Sequence, residues 1–381
     1  MSDDCTTLAS IIFTLVPNDK SAQNENIESI VWRKGGIHPI DVSTFFTRSR
    51  LSNLRFLELA GNFRISSWER LAPRTTLLTT LSLEISNSPP SRVPAPTTPQ
   101  LFSIFSSNPN LRELRLSNEA LPKDIDGSTL QMPLHHLKVL ALLGHFRRLF
   151  GFLRLLILPG TLDEMSLTGS DPTVEDISQN LGPYVRDYFR RDTRFQDRLE
   201  ITSCSTSRFV TISVAGQGSQ TPTPVPWLTL SVVPSDPPPG MLEQMFINLI
   251  APIPREHLVS IVAAVNVKLP ELPFTMPNIE RLHLIDMELT KGLLQPNPKG
   301  PQANTKLFPS LQSLCLEDVI ADHITDWRHL AAYLAHQTSG GQTVSLEVIG
   351  DSPWMPPNVL KEMEGLVNGF IYRPNPGAIM R

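Results

Sequence analysis

Apolar residues along this chain keep a spacing of three and then two. In "LRFLELAGN" the leucines stand at Leu54, Leu57 and Leu59, with mostly polar neighbours and an asparagine at Asn62. Successive side chains on a strand point to opposite sides, so Leu57 and Leu59 predict a short strand with one buried face. Six further phrases share the spacing: Leu78, Leu81, Leu83; Leu111, Leu114, Leu116; Leu137, Leu140, Leu142; Leu162, Met165, Leu167; Ile279, Leu282, Leu284; and Leu311, Leu314, Leu316. The first five begin at residues 54, 78, 111, 137 and 162, intervals of 24, 33, 26 and 25.

Helical spacing fills the gaps between the phrases. "ISSWERLA" offers Ser66 and Glu69 as a capping box ahead of Trp68, Leu71 and Ala72. "TPQLFSIF" places Thr98 as cap, Pro99 in the first turn, and Leu101, Ile104 and Phe105 on one side. Val42, Phe45 and Phe46 have the same spacing, and Ile324, Trp327, Leu330 and Leu334 form a longer stripe closed by Gly340 and Gly341. Strand, turn, helix and turn at intervals near 20 to 29 residues predict an α/β fold of the leucine-rich-repeat type: a curved solenoid with parallel strands on its concave face. Repeats pack only on their neighbours, so 1–381 reads as a single domain. Residues 199–233 alternate with period two in "LEITSC", "RFVTISVAG" and "WLTLSVV", which predicts an inserted set of antiparallel strands. "MLEQMFINLI" and "HLVSIVAAV" then read as a degenerate repeat.

Composition narrows the chemistry. The formal net charge of −4 calls for neither nucleic acid nor an anionic membrane. Cys5, Cys204 and Cys315 lie far apart without a framework spacing, which favours reduced thiols in the cytoplasm or nucleus, with Cys204 as a small buried hydrophobe. The acidic start "MSDDC" is unlike a signal peptide, and "LFGFLRLLILPG" is too short to span a bilayer. The 35 prolines cluster between periodic segments, as stiff loops or as a docking motif.

Catalytic and cofactor motifs find no convincing match. "GQGSQ" at Gly216 lacks the lysine of a phosphate loop and reads as a hairpin turn. His135 and His136 cannot face the same way, and Asp124 and Asp126 lack the glutamate of a calcium loop. "VRDYFRRDTRFQDRLE" mixes Arg186, Arg190, Arg191, Arg194 and Arg198 with Asp187, Asp192 and Asp197. It reads as a solvated helix with i,i+4 pairs, against the alternatives of a partner-docking surface or a single-stranded nucleic-acid contact. No cofactor, metal or catalytic residue is assigned, and the chain is expected not to be an enzyme.

The strand faces remain. Residues alternating with the buried leucines give a central column of Glu58, Ser82, Arg115, Ala141, Ser166, His283 and Cys315. Its flanks include Phe56, Glu84, Glu113, Val139, Leu143, Glu164, Arg281 and Glu317. From these, Phe56, Glu58, Ser82, Glu113, Arg115, Val139, Ala141, Leu143, Ser166, Arg281, His283 and Glu317 are the candidate protein-binding residues, on a mildly acidic surface with an apolar spot at Val139, Ala141 and Leu143.

The phrases "FFTRSRLSNLRFLELAG", "WERLA" with "LTTLSLEI", "YFRRDTRFQDRLEI" and "DWRHLAAYLAHQTSGGQTVSLEV" resemble the repeat region of the fungal F-box-like leucine-rich-repeat proteins over nearly the whole chain. The resemblance implies a protein substrate on the concave face and a cullin-type ubiquitin-ligase adaptor docked on an N-terminal F-box. It implies a substrate receptor acting by proximity rather than catalysis. Residues 1–40 depart from the F-box pattern: "LASIIFTLVPND" keeps only its Ile-Phe pair. They read as a degenerate remnant or a capping segment, with the module otherwise lost from the gene model, and the alternative is a stand-alone repeat scaffold unrelated to ubiquitination.

Overall fold

A computed structural model describes residues 10–16, 26–34, 40–43, 46, 51–85, 95–118, 120–123, 125, 130–160, 162–171, 173–191, 199–205, 210–216, 228–233, 248, 258–263, 276–285, 308–319, 324–350 and 355–374. The chain divides into two compact units, Met1–Pro172 and Thr173–Arg381.

In the first unit, β1 (Ser10–Val16) pairs antiparallel with β2 (Asn26–Lys34). The two-residue strands β3 (Ile40–Asp41) and β5 (Phe63–Arg64) pair with each other beside the main sheet. That sheet continues from β2 in parallel through β4 (Phe56–Gly61), β6 (Thr80–Ile85), β7 (Glu113–Asn118), β9 (Val139–His145) and β11 (Glu164–Ser170). A second small pair joins β8 (Met132–Pro133) to β10 (Leu156–Ile157). Parallel neighbours cannot be joined by a hairpin, and the connections carry helical turns. Among them are 3-10 turns at Trp68–Arg70 and Ala72–Arg74 and helices at Thr98–Ser107 and Phe146–Arg154.

The leucine phrases set the register. Leu57, Leu81, Leu114, Leu140 and Met165 are successive partners across the sheet, as are Leu59, Leu83, Leu116, Leu142 and Leu167. All ten are at most 1% exposed. The first residue of each phrase, Leu54, Leu78, Leu111, Leu137 and Leu162, is buried just ahead of its strand. Each buried leucine contributes about 1.5–3 kcal/mol by leaving water. One main-chain bond recurs at each step: Arg55 O accepts from Thr79 and Thr80, Thr79 O from Arg112 and Glu113, Arg112 O from Lys138 and Val139, and Lys138 O from Glu164. These carbonyls lie just ahead of the strands and fix the start of the next strand through backbone groups, and the Thr79 hydroxyl also donates to Arg55 O at 3.1 Å.

Two predicted caps shift. Ser66 does not cap a helix: the 3-10 turn follows Ser67, which makes no side-chain cap bond, and the Ser66 hydroxyl bonds Ser43 Oγ at 3.2 Å instead. The helix cap before Pro99 is Thr97 rather than Thr98, because Thr97 and Gln100 complete a reciprocal capping box while Thr98 is buried. The apolar faces hold, with Trp68, Leu71, Ala72, Leu101, Ile104 and Phe105 all buried.

In the second unit, β12 (Leu199–Ser205) and β13 (Val210–Gly216) are antiparallel, and β13 pairs antiparallel with β14 (Leu228–Val233). Their expected status as an insertion is corrected. β12 also pairs in parallel with β15 (Leu258–Ala263), so the three strands are continuous with the unit's main sheet rather than set apart from it. From β15 the sheet runs in parallel through β16 (Arg281–Ile285), β17 (Ser313–Glu317), β18 (Ser345–Gly350) and β19 (Phe370–Pro374). The same stepwise carbonyl bonds recur here, from Val259 O to Glu280, Glu280 O to Gln312 and Ser313, and Gln312 O to Ser345.

Helix Ile324–Thr338 buries Trp327, Leu330 and Leu334 and ends before Gly340 and Gly341, whose φ values of 97° and 88° are open to glycine and costly for other residues. Helix Gly182–Arg191 exposes Arg186 and Asp187 and buries Tyr188. The remaining charged positions of that stretch, 192–198, lie outside the described residues, as do Asp124, Asp126, Cys5 and most of 241–257. In the described part of 1–40, the segments Ser10–Val16 and Asn26–Lys34 are strands. Among the described residues, no helix is long and apolar enough to cross a membrane.

Candidate interaction surface

Opposite the buried leucines, the first unit presents three rows of side chains in register. The central row runs Val31, Glu58, Ser82, Arg115, Ala141 and Ser166. On one side lie Ser29, Phe56, Thr80, Glu113, Val139 and Glu164, and on the other Arg33, Ala60, Glu84, Ser117, Leu143 and Thr168. Nine of the candidate residues, Phe56, Glu58, Ser82, Glu113, Arg115, Val139, Ala141, Leu143 and Ser166, therefore share this one face. Arg281, His283 and Glu317 lie on strands of the second unit, where His283, Cys315 and Glu347 are successive partners and Ile285, Glu317 and Ile349 form the next row.

Charge on the first face is partly cancelled within it. Arg33 Nε sits 2.7 Å from Glu58 Oε1, and Arg115 Nε sits 2.6 Å from Glu113 Oε1. Burial works against the Arg115 guanidinium, but the hydrogen bond and charge of Glu113, with Glu164 and Glu84 nearby, outweigh it and hold its pKa above the usual arginine value. A depression of about 370 Å3 opens where Glu84, Arg115, Ser117, Ala141, Leu143, Ser166 and Thr168 meet. Leu143 is 39% exposed at its rim.

The second face carries a different cluster. His283 Nε2 lies 2.9 Å from Glu317 Oε2, both half-buried. Cys315, the register partner of His283, is a free thiol pushed up to about 11, first by burial and then by the charges of Glu347 and Glu317. At neutral pH such a thiol stays protonated, the wrong state for a nucleophile. Among the described residues, no three His, Cys, Asp or Glu side chains are arranged to hold a metal ion. A further hollow of about 640 Å3 in this unit is lined by loop residues such as Ser310, Gln312, Gly340, Thr343 and Asn368, with no charged group among the described residues of its lining.

Several members of these faces escaped the sequence pattern. Val31 and Arg33 belong to β2, whose Ile27, Ile30 and Trp32 keep the three-then-two spacing with tryptophan in the last place. Glu347 lies on β18, where Leu346 and Val348 alternate but the leading leucine is replaced by Val344 two residues before. Thr80, Ser117 and Thr168 follow from the alternation itself, carried one row further. Compared with models of known protein families, with curated proteins and with solved structures, the chain matches none.

Proposed function

We propose that the chain is a protein-interaction module of the leucine-rich-repeat type and that it binds a protein segment on the exposed face of its first unit. The observation that carries this is the face itself: three registered rows of polar, charged and small apolar side chains, standing on a fully buried leucine layer. A scaffold held by its far side leaves such a face free to vary, as repeat proteins use theirs. The repeat assignment is supported by the recurrence of both the leucine spacing and the stepwise carbonyl bond. The test is photo-crosslinking from Leu143 and Ser166, with exposed Arg328 as control position. Proteins captured from the face and not from the control support the proposal; equal capture at all three positions overturns it.

In the finer form of this reading, the bound segment belongs to a target that the chain delivers to a cullin-type ubiquitin ligase, as the resemblance to F-box-like repeat proteins implies. Binding of the purified chain to the ligase adaptor at micromolar affinity or better supports that role. Absence of binding excludes direct adaptor contact by these residues and points to a docking module lost from the gene model or to the alternative, a repeat scaffold unrelated to ubiquitination.

A further inference from the structure

The depression on the first unit has a definite chemical bias. Its lining is apolar at Ala141 and at Leu143 on the rim, and includes the hydroxyl-bearing Ser117, Ser166 and Thr168. Glu84 stands on its wall, and Glu164 lies two residues before Ser166 on the same strand. Arg115, the one cation among the described residues of its lining, is already held by Glu113 at 2.6 Å. Glu84, Glu113 and Glu164 against Arg115 leave this neighbourhood with two negative charges in excess.

Resting on the interaction reading above, the geometry points to an extended basic segment as the occupant, with one lysine or arginine side chain laid in the depression. A long cationic side chain needs an apolar stretch for its methylenes and an anion for its head. Ala141 and Leu143 supply the first and Glu84 the second, with Glu164 adding charge and the hydroxyl oxygens accepting the remaining N–H groups. About 370 Å3 is at the small end of the roughly 300–1,000 Å3 of ligand pockets, on the scale of a side chain rather than a cofactor. An acidic segment fits poorly, because the Arg115 guanidinium is paired and ringed by carboxylates.

The experiment measures fluorescence anisotropy of the full chain with three labelled decapeptide pools of alternating leucine and one fixed class: lysine and arginine, aspartate and glutamate, or serine and threonine. The basic pool is expected to bind best and to weaken with added salt. Glu84→Gln with Glu164→Gln is expected to weaken it about threefold to tenfold, the range for partly exposed charge pairs acting together. Preference for the acidic or neutral pool overturns the basic-segment assignment and leaves the interaction reading standing. Equal binding of the basic pool to the parent and the glutamine variant also overturns it, as does binding of no pool. Failure of the interaction reading itself is registered separately, by the crosslinking comparison.

Discussion

The Asp41 carboxylate accepts from the Ser43 backbone N–H at 2.9 Å and lies 3.4 Å from Arg64 Nε, while Ser43 Oγ accepts from the backbone N–H groups of Ser66 and Ser67. Burial pulls its pKa upward, but hydrogen bonding from Ser66 and Ser43 prevails and lowers it to about 2. A carboxylate depressed in the folded state stabilises the fold above its unfolded value of 3.8, and that contribution is lost as pH falls toward 2. Thermal melting of the parent is therefore expected to drop through this window more steeply than that of Asp41→Asn; parallel curves would show that the cluster does not discriminate between charge states. Cys315 offers a second check at the same scale. With its thiol at about 11 instead of 9.0, alkylation by iodoacetamide in the native state is expected to run roughly a hundredfold slower than in urea, following the thiolate fraction.

At the scale of elements, Asn108 joins the end of a helix to the start of a strand. Its Nδ2 donates to Ile104 O at 2.8 Å, and its Oδ1 accepts from Leu78 N at 2.8 Å, all buried. Asn108→Ala strands the Leu78 N–H and is expected to cost about 1–3 kcal/mol in urea unfolding; a change near zero would mean that water replaces the amide. Gly350 closes β18 with φ 82° and faces the Asp318 carboxylate, which a Cβ would strike. Gly350→Ala is expected to cost at least about 1 kcal/mol, measured the same way. Neither device was legible in the sequence, since a single asparagine or glycine is ambiguous until its partners are known. The strands of the leucine phrases were legible, because alternation and spacing report burial directly. Caps were legible only to within one residue: Thr97 and Thr98 are equivalent as residue types, and the reach of Gln100 decides between them.

At the scale of the molecule, the continuous leucine layer couples neighbouring strands within each unit. Leu114 sits between Leu81 and Leu140 and is 0% exposed, so Leu114→Ala is expected to cost about 2–5 kcal/mol and to lower hydrogen-exchange protection in β6 and β9 as well as in β7. Loss confined to β7 would mean that the strands open independently. Row membership on the open face was legible strand by strand, and the central order Glu58, Ser82, Arg115, Ala141, Ser166 follows from it. The sheet neighbours of 199–233 were not, because period-two alternation marks strands without marking which sheet they join. The ion pairs that neutralise part of the face were hidden for a similar reason: Arg33 reaches Glu58 across 25 residues of sequence.

The stepwise bond from each pre-strand carbonyl to the next strand has a consequence for how such a chain can diverge. Alignment at that joint rests on main-chain atoms, with the Thr79 hydroxyl adding a bond to Arg55 O, and it holds whether the residue there is a threonine, Thr79, or a basic one, Arg55, Arg112 or Lys138. The intervals between phrases drift from 24 to 33 residues while the register stays intact. A connection can therefore lengthen, or an outward side chain be replaced, without disturbing how the layers stack.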